Sequence, residues 1–249
     1  MRAAARSRLT LGLLRDCLSP FPAPGLALAA RGSLARGDLG PCSDLDLVLL
    51  CAGRRDREAR RIVRRLRRLP WRIGAQVWRP AGGDGPRGLA SWTTAVQMRY
   101  VAGDATLFWA VRDRFRRRLG ELAPSDLDRL HRFDPRRHQG CFDQDSWFSF
   151  NLKRGPGGTV DHDFLRILWA HPEGRRLCAA SGEPLVSAGA GSLMALTLLK
   201  DALHRRSRMA RENYYDWFRS GDDPLPSWAR RRQTILWHAL QPVLEELRR

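Results

Sequence analysis

The sequence predicts an α+β protein, with a small α/β domain over residues 1–122 followed by an α-helical domain over residues 123–249. Three observations lead there. In the first half, short apolar runs bounded by glycine and proline alternate with stretches of helical periodicity. In the second half the helical spacing continues with little strand-like alternation. Between them, Gly120 and Pro124 interrupt the pattern, which puts the boundary near residues 120–125. Hydrophobic residues make up 43% of the 249, enough for a packed core and too many for a disordered or fibrous chain.

Each element has its own signal. Residues 10–18 close an amphipathic helix, which Pro20, Pro22 and Pro24 end. Residues 26–30 are a short apolar strand, and Gly32-Ser33 turns into a second helix. After the turn-rich residues 36–41, residues 43–50 alternate and then become wholly apolar, like a strand entering a core. Residues 54–69 form a helix with Ile62, Val63, Leu66 and Leu69 at helical spacing and arginines on the other face. Pro70 ends it, residues 72–78 read as another strand, and residues 80–88 as a Gly/Pro loop. Residues 89–122 read as helical, punctuated by Asp104, and the remainder as mostly helical with breaks near 155–158, 182–191 and 221–226. The tryptophans, Trp92, Trp109 and Trp217 among them, fall in helical patterns and read as core packing.

Charge narrows the class. Lysine plus arginine number 44 against 26 acidic residues, a net +18, which excludes an acidic solvating protein and favours polyanionic partners such as nucleotides. Lys153 and Lys200 are the only lysines, so the arginine excess reads as compositional bias unless it gathers into one dense stripe. The five cysteines, Cys17, Cys42, Cys51, Cys141 and Cys178, are odd in number and lack a CxxC pair. They fit neither a disulfide framework nor a zinc site and suggest a reducing compartment, with cytoplasm the expectation. The apolar run at residues 9–14 is too short for a signal peptide. No run of about 18 apolar residues occurs, so no membrane partner is expected.

The chemistry concentrates in residues 30–50. Gly32 lacks a Cβ, so a phosphate can approach its backbone, and the Ser33 hydroxyl beside a helix start can hold phosphate oxygens. Asp44 and Asp46 stand two apart on a strand, so their carboxylates leave one face about 7 Å apart along the backbone. Two hard oxygen donors on one face suit Mg²⁺, which completes its shell with water and substrate phosphates. Such an ion neutralises charge on a transferring phosphoryl group. Arg31 and Arg36 bracket the turn and can neutralise phosphate, although in this chain they read equally as surface charge.

A strand, Gly-Ser, a ten-residue turn-rich connection and Asp-x-Asp entering an apolar strand resemble the nucleotidyltransferases of the DNA polymerase β superfamily. Within it, the sequence is most similar to the bacterial PII-protein uridylyltransferases. The likeness extends to Arg99-Tyr-Val-Ala-Gly-Asp104, similar to a helix end in that family. It also extends to Asn151-Leu-Lys-Arg-Gly-Pro-Gly-Gly158, which there introduces a helical domain. The resemblance covers residues 9–208. It implies an α/β palm of five strands or fewer, Mg²⁺, and a nucleoside triphosphate, usually UTP, used to modify a protein. Asp44 and Asp46 would bind metal and serve catalysis; Gly32, Ser33, Arg36 and Lys153 would bind nucleotide.

Two departures stand out. The superfamily carries a third carboxylate on an adjacent strand, but residues 72–78 hold no acid, Gly88 stands where an acid is usual, and Asp84 lies in a loop. Losing a general base slows proton removal by about 10²–10⁴-fold. The length also leaves no room for the hydrolase and sensing domains of the full enzymes, and His162-Asp163 lacks the further ligands of a phosphohydrolase. Two alternatives follow: a nucleotide-sensing or protein-binding module that has lost turnover, and an RNA-binding protein driven by the positive charge, the latter not favoured.

Overall fold

The computed structural model describes residues 3–19, 24–41, 43–53, 55–80, 88–133, 149–151, 156–206, 217–219 and 224–249. Its fold is α+β, and the chain divides into two compact units, residues 1–87 with 94–117, and residues 88–93 with 118–249. Among the described residues, no helix is long and apolar enough to cross a membrane.

The first unit is built on α1 (Ala3–Leu18), β1 (Leu26–Ala30), α2 (Gly32–Arg36), β2 (Leu45–Cys51), α3 (Asp56–Leu66) and β3 (Ile73–Trp78). Helix α4 (Leu89–Gln97), strand β4 (Arg99–Gly103) and helix α5 (Ala105–Gly120) follow. The sheet order is β3-β2-β1-β4. Strand β1 is antiparallel to β2 and β4, whereas β2 and β3 are parallel, joined through α3. Strand alternation sorts the side chains. Leu26 and Leu28 of β1, with Leu45, Leu47 and Leu49 of β2, face one layer, where Leu11 and Leu14 of α1, Leu34 of α2, and Ile62 and Leu66 of α3 complete a buried apolar cluster. On the other face Trp78 meets Phe115 edge-on at 5.8 Å, and Tyr100 meets Phe108 at 5.5 Å, so α5 covers that side.

The structure corrects several sequence expectations. Helix α1 begins at Ala3 rather than at residue 10, because its first turns have partners. Arg6 Nε donates to the Leu39 carbonyl at 2.8 Å, and the Ser7 hydroxyl accepts from the Leu39 N–H at 3.2 Å. Residues 99–103, expected within a helix, form β4, an edge strand that pairs with the free side of β1. Trp109 is 49% exposed, so it is not core, and Trp217 lies in a strand.

The second unit holds α6 (Pro124–Arg132), α7 (Thr159–Ala170), α8 (Pro172–Ala180), α9 (Glu183–Arg206) and α10 (Pro224–Arg248). It also holds a short antiparallel pair, β5 (Ser149–Asn151) with β6 (Trp217–Arg219). The expected break at residues 182–191 ends at Gly182; α9 then runs through Gly189 and Gly191. Gly189 makes room for a neighbour, since a Cβ there would come within 3.0 Å of Leu165, whereas one at Gly191 would make an ordinary contact with Arg232 at 3.5 Å. Cys178 is fully buried there, and burial pushes its thiol up to about 12, so it stays an unreactive core residue.

The Gly103-Asp104 pair, matched to a family motif, has a structural job. Gly103 has φ +96, and a Cβ there would run into the Leu26 carbonyl oxygen. Asp104 caps α5: its carboxylate accepts from the Leu107 N–H at 2.9 Å and from the Gly25 N–H at 2.8 Å. Those backbone hydrogen bonds hold its pKa below the ordinary 3.8. A depressed carboxylate contributes its stability above the ordinary value and loses it as pH falls through the lowered one. Asp104→Ala is therefore expected to cost about 0.5–2 kcal/mol at neutral pH. Urea unfolding as a function of pH should show the gap to wild type closing in acid, below pH ~4.

Candidate functional site

The site forms at one end of the sheet, where β1 runs out and β2 and β3 begin. Ala30 pairs with Leu47, and the Arg31 N–H still donates to the Asp46 carbonyl at 2.9 Å, so Arg31 lies beside Asp46 as the ladder ends. On the opposite side, the parallel register sets Gly74 of β3 against Asp46. Asp46 is thus the middle residue of three neighbouring strand ends. Leu45 and Leu47 on either side of it are 1% and 0% exposed, anchored in the core, while the Asp46 side chain is 43% exposed.

Glycine clears the space around this carboxylate. Gly32 adopts φ +58, and a Cβ there would stand 3.0 Å from Asp46 Oδ2. A Cβ at Gly74 would stand 3.1 Å from Oδ1. Both carboxylate oxygens therefore sit against positions that carry no side chain, and a cradle remains that any other residue would fill. Hard oxygen donors on a side chain that is 43% exposed, they suit a divalent cation such as Mg²⁺.

Asp44 immediately precedes β2 rather than lying within it. Its backbone is still steered by the sheet, because the next residue, Leu45, donates its N–H to the Arg72 carbonyl at 2.9 Å. Each aspartate has an arginine beside it. Arg72 Nε is 3.5 Å from Asp44 Oδ1, and Arg31 Nη2 is 3.6 Å from Asp46 Oδ1. Arg31 Nη1 also donates to Gln76 Oε1 at 3.1 Å, while its buried Nε has no hydrogen-bond partner. An unsatisfied buried donor of this kind costs about 1–3 kcal/mol.

The other predicted residues are distributed as follows. Ser33 is 9% exposed in the first turn of α2, and its carbonyl accepts from the Gly37 and Asp38 N–H groups, both at 3.0 Å, closing the helix through Gly37 at φ 86. Arg36 points back onto Asp38, Nε to Oδ1 at 3.2 Å, with both side chains 11% exposed. In this pose it braces the loop leading to Asp44. Lys153 and Asp84 lie outside the described residues. Among the described residues no three His, Cys, Asp or Glu side chains gather to hold a metal, and the residues of β3 on the Asp46 face are Gly74, Gln76 and Trp78.

Sequence reasoning missed Gly74 and Gln76. A glycine inside a strand pattern is itself a signal that something approaches the backbone closely, and here that something is Asp46. In the second unit, the motif around residues 156–158 is held from several elements. Asp161 accepts from the Gly157 N–H at 2.6 Å and meets His131 Nε2 at 2.9 Å, with His131 stacked 4.3 Å from Phe164. The Ser192 hydroxyl donates to the Gly157 carbonyl at 3.2 Å. His162 and Asp163 are buried at 4% and 7%. The Asp161, His131 and Ser192 contacts tie the Gly157 turn to α7, α6 and α9.

Gly74→Ala tests the cradle. The added methyl presses on the far end of a partly exposed side chain, so the fold should tolerate it within about 1 kcal/mol. If the Asp46 carboxylate ligates a divalent ion, displacing it should weaken Mn²⁺ binding by roughly 10–100-fold. Calorimetric titration with Mn²⁺ beside a thermal melt checks both.

Comparison with known proteins adds a likeness at this point. No family model matches the chain. It is 31% identical over 153 residues to a bifunctional uridylyltransferase/uridylyl-removing enzyme of Chromobacterium violaceum, covering 57% of this chain and 17% of that protein. It is 28% identical over 174 residues to the enzyme so named from Burkholderia thailandensis (66% and 20%). It is 30% identical over 156 residues to that from Streptomyces coelicolor (59% and 18%). The alignments span about a fifth of each relative, and over that span the chain is similar to nucleotidyltransferases.

Proposed function

We propose that this chain is a nucleotidyltransferase that moves a nucleoside monophosphate from an NTP, with UTP the expected donor, to a hydroxyl of an acceptor, a protein in our reading. The observation that carries this is the placement of Asp46 between Arg31-Gly32 and Gly74, so that its two carboxylate oxygens each face a position without a Cβ. The names of the relatives support the choice of uridylyl as the group moved. We assign the palm to residues 1–122 and the helical domain to residues 123–249, in a reducing compartment such as the cytoplasm.

In this reading Gly32 lets the triphosphate approach the α2 backbone, whose first amides and the Ser33 hydroxyl hold phosphate oxygens. Asp44 and Asp46 hold Mg²⁺, which when bound neutralises charge on the phosphates. Arg31 lies close enough to share that task, and Arg36 keeps the loop in shape. The acceptor oxygen forms a bond to the α-phosphorus as the bond to the bridging oxygen breaks. Pyrophosphate leaves, and the acceptor proton passes to solvent. A neutral amide at Gln76 offers no carboxylate to take that proton, so turnover should be slow. The same observation favours a second reading, a nucleotide-binding module without transfer.

Incubation with labelled NTPs, Mg²⁺ or Mn²⁺ and bacterial lysate tests the proposal. Label from UTP should appear on a protein, and Asp44→Asn or Asp46→Asn should each reduce transfer by roughly 10²–10³-fold, the scale of losing a main electrostatic contributor. Metal-dependent UTP binding without transfer would select the second reading; no binding of any NTP would remove both.

A further inference from the structure

Arg31 makes an arrangement that metal and nucleotide binding alone do not require. Its guanidinium spans two strands, with Nη2 at 3.6 Å from Asp46 Oδ1 and Nη1 at 3.1 Å from Gln76 Oε1. It does so while its buried Nε lacks a partner. The side chain is 21% exposed, so the positive charge is held largely out of water beside the one carboxylate that Gly32 and Gly74 leave open. A guanidinium and a divalent cation are then rivals for Asp46 Oδ1, because two cations at that distance repel. A triphosphate and Asp46 are equally rivals for the guanidinium, since phosphate oxygens take its planar donor fork in bidentate fashion and would supply the acceptor Nε lacks.

We propose that Arg31 is an exchangeable internal cation that couples the two ligands: a triphosphate draws it off Asp46, and Asp46 becomes free to take the divalent ion. Gln76 is the positioning residue that keeps Arg31 in its bridging pose. The inference rests on the nucleotidyltransferase reading of this site and adds a regulatory property to it. The ion alone binds weakly, the triphosphate strengthens its binding, and by reciprocity the ion strengthens triphosphate binding by the same factor. The device guards the site against divalent ions when no nucleotide accompanies them.

The experiment measures binding rather than turnover. Free Mn²⁺ is followed by its EPR signal during titration of wild type, Arg31→Gln, Gln76→Ala and Asp46→Asn, and UTP binding is followed calorimetrically in EDTA. Arg31→Gln should bind Mn²⁺ alone about tenfold more tightly than wild type and UTP alone more weakly. Gln76→Ala should move Mn²⁺ affinity in the same direction by a smaller factor, and it serves as the readout if Arg31→Gln does not fold. Unchanged or weaker Mn²⁺ binding in Arg31→Gln, or in Gln76→Ala where that is the readout, overturns the coupling. Asp46→Asn separates the two levels. If it loses the Mn²⁺ that wild type binds, the metal reading survives a failed coupling. If it binds Mn²⁺ as wild type does, the site itself is wrongly placed.

Discussion

Three strand ends meeting at Asp46 set everything else in the first unit. The antiparallel register of β1 with β2 brings Arg31 alongside that residue, and the parallel register of β2 with β3 brings Gly74. A one-residue slip in either ladder would turn Asp46 toward the core and a leucine toward solvent. Leu45, Leu47 and Leu49, all buried at 1% or less, make that slip prohibitive. The hydrophobic layer thus determines which way the carboxylate faces, and the glycines on both flanks determine what can reach it.

Around that centre the electrostatics are balanced locally. Asp44 has Arg72 and Asp46 has Arg31, so two acids are met by two bases within a chain of large positive charge. The loop between α2 and β2 is held separately. Arg6 and Ser7 of α1 bind Leu39, Arg36 binds Asp38, and the Ser43 hydroxyl accepts from the Gly40 N–H at 3.0 Å. Arg6 and Arg36 hold the loop, whereas Arg31 meets Asp46 and Gln76 at the strand ends. That division of labour distinguishes it from the many arginines on exposed helix faces.

Much of this was legible in the sequence, for identifiable reasons. The strand read over residues 43–50 and the helix read over residues 54–69 announce themselves through local periodicity, and form over Leu45–Cys51 and Asp56–Leu66; Gly-Ser and Asp-x-Asp do so through their spacing. Strand β4 was not legible, because Arg99-Tyr-Val-Ala-Gly is short and its pairing partner, β1, lies about 70 residues earlier. The reach of α1 back to Ala3 depends on contacts with Leu39 that no local pattern encodes. Gly189 and Gly191 read as breakers, yet α9 runs through both, and Gly189 leaves room for Leu165 of a neighbouring helix. Gly74 and Gln76 acquire meaning only through the β2–β3 register, a non-local fact. The missing acid on residues 72–78 was visible from the start, and the structure shows an amide and a glycine on the face concerned.

The central claim is a location: a divalent ion bound beside Asp46, between Gly32 and Gly74. Paramagnetic broadening of assigned backbone amide signals by substoichiometric Mn²⁺ in the presence of UTP tests that location most directly. The account predicts broadening concentrated on Gly32, Ser33, Asp44, Asp46 and Gly74, with α8 and α10 unaffected. Broadening centred elsewhere, or spread evenly over the exposed acids, would contradict it.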